Sequence, residues 1–213
     1  MSGLERLAGQ LRKPSGVTGR VIISRVLDLA NAGVNRSTLE LLDVEAGDQV
    51  IEVGFGGGYL VRRIAPLVGW GRVVGVNFSP EMVAASTRRL RRFIREGRVE
   101  LRCAGADALP YGSGQFAKAC TVNTIYFWPD CSGPLLELNR VLEDGGRLVV
   151  SFSPPATLQR APWANHGFRP YEPVQVQRML EDAGFVDVRI ERVAGRGGDF
   201  CCAVGTKRAE AVV

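Results

Sequence analysis

From residue 49 onward, short apolar runs alternate with stretches whose apolar residues recur at helical spacing. The runs QVIEV (49–53), RVVGV (72–76), RVELRC (98–103), FAKACTV (116–122) and RLVVSF (147–152) read as strands. Between them, 57–68, 80–95 and 132–142 read as helices. After an irregular, proline-rich segment, PVQVQRMLEDAGF reads as another helix, followed by the strands VDVRIERV and DFCCAVGTK joined by AGRGG. Upstream, TGRVIISRVLDLANAG carries helix-spaced apolar positions, NRSTLELLDV opens on cap-type residues, and EAGD breaks the pattern. The chain therefore divides into an N-terminal helical cap segment, 1–45, and an α/β domain, 46–208. Such alternation predicts a parallel sheet with helices on both faces. The short final link predicts an antiparallel hairpin, because a parallel pair needs a long crossover.

Composition adds mainly exclusions. With 46% hydrophobic and 23% charged residues, the 213-residue chain is an ordinary globular sequence. Its apolar runs are too short to span a bilayer, and its N-terminus lacks the apolar core of a signal peptide, so the expected location is cytoplasmic. The net charge of +5 invites a nucleic-acid reading, yet only Lys13, Lys118 and Lys207 are lysines. An arginine bias so strong reflects gene base composition as readily as phosphate contacts. In STRRLRRFIREGR (86–98), Arg88, Arg92 and Arg95 fall near one helical face, while Met82, Leu90, Phe93 and Ile94 can pack inward. A solvated face is the favoured reading there, with an anionic substrate or membrane surface as the minority one. Five cysteines without a CxxC pair, and a single histidine, His166, argue against a metal site. Cys103, Cys120, Cys201 and Cys202 sit in strand-like runs as small core residues, whereas Cys131 is expected near a loop.

The candidate chemistry begins at VIEVGFGGGYLVRRIA, a strand, a glycine-rich turn and a helix start. Gly54, Gly56 and Gly58 let the backbone turn sharply beside a ligand. The dinucleotide fingerprint would need glycine where Tyr59 stands, and no G-K-[ST] follows to make a P-loop. Glu52 followed by G-x-G-x-G is a different pattern. Together with VVGVNFSPEM, GADALPYGSGQF, LLELNRVLEDGGRLVVSF and MLEDAGFVDVRI, in that order, it resembles the class I S-adenosylmethionine-dependent methyltransferases. Within them the chain is most similar to the small-molecule group that includes the ubiquinone and menaquinone methyltransferases. The resemblance spans roughly residues 45–205 and implies a Rossmann-like, seven-stranded, mostly parallel sheet with the last strand antiparallel.

It also implies S-adenosylmethionine as cofactor, methyl transfer to a small-molecule substrate, and a set of roles. Glu52, Gly54, Gly56 and Gly58 would surround the methionine part of the cofactor. Asn77 stands where the family has an acid for the ribose hydroxyls, with Phe78 beside it for the adenine ring. Asp107 matches the position that accepts from the adenine amino group, and Ala108 supplies a backbone contact. Asn123 and Thr124, after the fourth strand, would line the methionine end. Among the large side chains that follow, Tyr126, Phe127 and Trp128, at least one is expected to face substrate. Trp163 and His166, in the long 153–173 connection, are further substrate candidates. Asp130, Tyr126 and His166 are the weak candidates for a general base.

Two other functions compete. A noncatalytic S-adenosylmethionine-binding or interaction module fits the same motifs, since fold alone does not prove function. An NAD(P)-dependent oxidoreductase is disfavoured by Tyr59 and by the rest of the motif set. Nucleic acid is disfavoured as a partner: no reading domain is visible, and Thr124 and Ile125 stand where an NPPY-type motif has prolines. Asn77 is the least orthodox position. It has one acceptor oxygen and an NH2 donor, so it serves the ribose with altered polarity or serves the turn itself.

Overall fold

The computed structural model describes residues 31–159, 169–195 and 198–209. Seven strands make one sheet: β1 (Gln49–Val53), β2 (Arg72–Asn77), β3 (Val99–Cys103), β4 (Phe116–Val122), β5 (Leu142–Phe152), β6 (Phe185–Val193) and β7 (Phe200–Lys207). Their order is β3-β2-β1-β4-β5-β7-β6. The first five are parallel, and β7 runs antiparallel to both β5 and β6, as the short last link requires.

Alternating side chains split the core into two layers. On one face, α1 (Ala32–Leu42), α2 (Tyr59–Ile64) and α3 (Pro80–Arg95) cover Val50, Val73, Val149 and Cys202. On the other, α4 (Ser132–Val141) and α6 (Pro173–Asp182) cover Ile51, Val74, Val150 and Ala203. A short helix, α5 (Pro155–Leu158), follows β5. The helix starts follow local chemistry. Ser79 Oγ accepts the Met82 N–H at 3.3 Å with Pro80 at the first turn, and Gln175 Oε1 accepts the Glu172 N–H at 2.8 Å in a capping box.

Three boundaries differ from the sequence pattern. The helix expected over 57–68 is only Tyr59–Ile64, because Gly58 (φ 74°) still belongs to the turn and Pro66 and Gly69 (φ 58°) follow closely. β5 begins at Leu142, which already pairs with Phe116; the register then shifts across the Gly145 bulge (φ 77°). Cys103, expected in the core, is exposed at the end of β3, while Cys131 is buried at the N-cap of α4. Of the expected cap segment, 31–45 is described. Its helix α1 packs across β4, β5 and β7, and Thr38 and Ser151 bring their hydroxyls 2.7 Å apart, with Cys202 Sγ 3.2 Å from Ser151. Residues 1–30 lie outside the described set, as do Trp163 and His166.

Candidate functional site

The strand order reverses between β1 and β4, so the adjoining loops diverge there and leave a crevice beyond the carboxyl ends of the strands. A cleft of about 390 Å³ opens along that edge, within the range of roughly 300–1,000 Å³ usual for small-ligand sites. It gathers residues from four strand ends: Gly54 after β1, Asn77 and Phe78 at β2, Asp107 after β3, and Thr124 after β4. Phe127 and Trp128 form a second wall.

Gly54 is the closest fit in this set. Its φ is 80°, and an added Cβ would overlap the Thr124 methyl and come within 2.8 Å of Thr124 Oγ1. Thr124 occupies that space because its hydroxyl is shared with Thr121 and the carbonyls of Val122 (3.2 Å) and Val53 (3.5 Å). The two sides of the switch point are thus clamped together. Gly56 (φ 51°) has nothing within 4 Å of its added Cβ, which leaves open space beside the turn. Gly58 completes the turn against Leu90 and Ser86 of α3, and Ser86 Oγ donates to Gly56 O.

Asn77 does two things. It is buried, and its Oδ1 accepts the Ser79 N–H at 3.0 Å, closing the turn that leads into α3. That bond assigns the amide: oxygen toward the turn, NH2 as the group left for a ligand. Phe78 beside it is 53% exposed and lines the cleft, so it is not a core residue. Asp107 is carried on a loop gripped by α4. Glu137 Oε2 accepts the Leu109 N–H at 2.8 Å, and Arg140 donates to the carbonyls of Tyr111 (2.8 Å) and Leu109 (3.2 Å). The Arg140 hydrogen bond outweighs burial and, with a smaller contribution from the Leu109 amide, holds the Glu137 carboxyl below the usual carboxylate range.

Other expected residues fall elsewhere. Glu52 alternates away from Val53 onto the α1–α3 face, is 3% exposed, and sits beside Cys120, whose thiol is pushed well up by burial and then by the Glu52 charge. Ala108 is exposed and outside the cleft lining, where Ala104 and Ala106 stand instead. Asn123, in a left-handed conformation (φ 53°), turns its amide to Asn31 Oδ1 at 2.9 Å. Tyr126 is buried; its hydroxyl accepts from the Ser153 N–H and lies 3.1 Å from Asn123 Oδ1. It belongs to the core and not to the cleft wall, and burial pushes its hydroxyl pKa up. The cleft also contains Asp130, whose carboxyl is held low by hydrogen bonds from the Ser132 side chain and backbone.

The donor set suits an adenosine-bearing ligand: aromatic walls in Phe78, Phe127 and Trp128, a carboxylate in Asp107, and an amide in Asn77. Of the three consecutive large side chains Tyr126, Phe127 and Trp128, the last two line the cleft, a division that no sequence period reveals across the 3₁₀ turn Ile125–Phe127. Among the described residues, no cluster of three or more His, Cys, Asp or Glu could hold a metal ion, and no helix is long and apolar enough to cross a membrane.

Comparison with known proteins agrees with this geometry. Residues 51–150 match the family described as "Methyltransferase domain". The "Methyltransferase GfsG" of Streptomyces halstedii is 33% identical over 130 residues, covering 60% of this chain and 46% of that protein. The "Demethylmenaquinone methyltransferase" of Tropheryma whipplei (strain Twist) is 33% identical over 128 residues, covering 60% and 51%. The chain thus spans about half the length of both relatives. A "SAM dependent methyltransferase from Aquifex aeolicus", 20% identical, shares the fold with a TM-score of 0.69 over 88% of this chain and 97% of that one. Motifs, sheet order, family match and relatives converge: residues 51–150 form a methyltransferase domain, similar to those of the class I S-adenosylmethionine-dependent enzymes.

Proposed function

We propose that the protein transfers the methyl group of S-adenosylmethionine to a small molecule by in-line attack. The observation that carries this reading is the cleft at the switch point, where Gly54, Asn77, Phe78, Asp107 and Thr124 converge from four strand ends. When bound, the cofactor supplies a methyl group already activated by a sulfonium. The chain then has only to hold two partners in line and exclude water.

In this reading Asp107 accepts from the adenine amino group, the Asn77 NH2 donates to a ribose hydroxyl, and Phe78 lies against the adenine ring. Trp128 and Phe127 share the cleft with Asp107 and Phe78, which makes them walls of the nucleoside pocket before they are substrate contacts. The turn containing Gly54, Gly56 and Gly58, with Glu52 beneath it, holds the methionine end. Substrate choice falls to the cap, 1–45, and to the 153–173 connection with Trp163 and His166.

The base candidates in the described residues shape the chemistry. Asp130 is held ionised by Ser132 and is a poor proton acceptor, while Tyr126 stays protonated in the core. The reading is therefore of a nucleophile that needs no strong base from these two groups. The same observation favours the second function, a cofactor-binding module without methyl transfer.

Thermal stability measured with S-adenosylmethionine, S-adenosylhomocysteine and NAD(P) tests the cofactor assignment. Stabilisation by the dinucleotide alone overturns it. Transfer of labelled methyl from S-adenosylmethionine into a metabolite extract tests catalysis. Clear binding without any labelled acceptor favours the noncatalytic module.

A further inference from the structure

The arginines of α3 and α2 do not line the cleft, and the ends of these two helices adjoin at a different feature. The link between α2 and β2 exposes Trp70 (85%) and Leu67 (44%), two large apolar side chains within four residues. An isolated surface apolar residue needs no explanation, but this pair stands at the end of two basic helices. Arg62 and Arg63 occupy the last turn of α2, and Arg91 and Arg95 lie in the last two turns of α3. The two helix ends adjoin: Arg98, just past α3, donates to the carbonyl of Ala65, just past α2, at 3.5 Å.

Arg62, Arg63, Arg91 and Arg95 are exposed, and none forms an ion pair with a described residue; Arg92 and Arg98 are satisfied by Glu96. Carboxylates do stand nearby. The Trp70 indole lies over Gly47, which follows Glu45 and precedes Asp48 in the chain, and the Asp48 carboxylate already accepts the Glu45 N–H at 2.9 Å. Four uncompensated arginines outnumber those two acids, so this end of the molecule keeps a positive balance.

We propose that this end docks on an anionic lipid surface, with Trp70 and Leu67 entering the interface and Arg62, Arg63, Arg91 and Arg95 meeting the headgroups. Tryptophan prefers the boundary between headgroups and acyl chains, and arginines near an anionic leaflet add about 1 kcal/mol each. The charge pattern argues against a second copy of the chain as occupant, since an isologous contact would press two sets of unpaired arginines together. A nucleic acid would use the arginines but would leave Leu67 without a role. Trp70 precedes β2, so the patch lies at the amino ends of the strands and the cofactor cleft at their carboxyl ends. Docking therefore leaves the cleft open to the aqueous phase.

The test is sedimentation of the full chain with vesicles of phosphatidylcholine alone and of phosphatidylcholine mixed with phosphatidylglycerol. The expected result is binding to the mixed vesicles only, weakened by salt and accompanied by a blue shift of tryptophan emission. Arg91→Glu with Arg95→Glu lowers that partitioning at least about tenfold. Trp70→Ala also weakens it and abolishes the blue shift. Both variants keep the parent melting temperature, because the altered side chains are exposed. No binding to the mixed vesicles, equal binding to both kinds, or binding that survives both variants overturns the proposal. So does salt-sensitive binding to duplex RNA in a chain that ignores vesicles, which assigns the arginines to a nucleic acid.

Discussion

Replacing Asn77 by aspartate tests the ribose assignment with almost no change of shape. The Oδ1 that accepts the Ser79 N–H at 3.0 Å is kept, so the turn into α3 survives. What changes is the other branch of the side chain, where an NH2 donor becomes a carboxylate oxygen. A neutral hydrogen bond contributes about 0.5–1.5 kcal/mol and one to a charged group about 1.5–3. The exchange therefore gains about 1 kcal/mol toward a ribose hydroxyl, or roughly fivefold in affinity. Burying a charge at a side chain only 8% exposed opposes this. The N-terminus of α3, two residues on, offsets part of that by about 0.3–1 kcal/mol. Asn77→Asp is expected to bind S-adenosylmethionine and S-adenosylhomocysteine as tightly as the parent or up to about fivefold more tightly. Calorimetric titration of both proteins measures the ratio. The advantage belongs to the ionised form, so it shrinks as pH falls toward the usual aspartate pKa of about 4. A large loss of affinity in a variant that keeps its melting temperature would refute the placement of Asn77 at the ribose.

Three further outcomes follow from the same geometry. Gly54→Ala combines a left-handed backbone with an overlap on Thr124, so it loses about 1–3 kcal/mol of stability and most cofactor binding; denaturant unfolding and titration read both. Glu137→Gln weakens the grip on the Asp107 loop by about 1 kcal/mol at neutral pH. Because the folded pKa of Glu137 is depressed, its contribution is present above the unfolded value of about 4.5 and is lost as pH falls through the folded one, so the stability gap between parent and variant closes in acid. Finally, Cys103 is exposed whereas Cys120, Cys131, Cys201 and Cys202 are buried, so alkylation of the native chain adds one label, at Cys103, by peptide mass analysis.

The sheet was legible because strand and helix periods alternate cleanly, and because a five-residue link admits only a hairpin. The structure also explains why four of the expected site residues share one cleft. Gly54, Asn77, Asp107 and Thr124 were named from the family resemblance, and they meet because a doubly wound sheet opens its crevice at the switch point. What escaped was direction within a turn. In Asn123–Trp128, a left-handed Asn123 and a 3₁₀ turn bury Tyr126 and send Phe127 and Trp128 to the cleft, an outcome no period of 2 or 3.6 encodes. Cys103 escaped because apolar strand composition does not reveal that the last residue of an edge strand emerges into solvent.

The hidden half of the site is the one built by tertiary contact, and it couples the cleft lining to the helix layer behind it. The loop after β3 has no regular hydrogen bonding of its own to hold Asp107. Its rigidity comes from Glu137 and Arg140, three residues apart on α4, which bind each other and take the Leu109 amide and the Leu109 and Tyr111 carbonyls. Tyr111 in turn reaches Glu100 on β3, which is already paired with Arg72 and Arg102. The loop that presents the Asp107 carboxylate to the cleft is thus fixed from α4, distant in sequence, and from β3, just before it. Stiffness in that loop therefore depends on charges that LLELNR displays only as a polar helix face, which is why its role in the site follows from the packing and not from the motif.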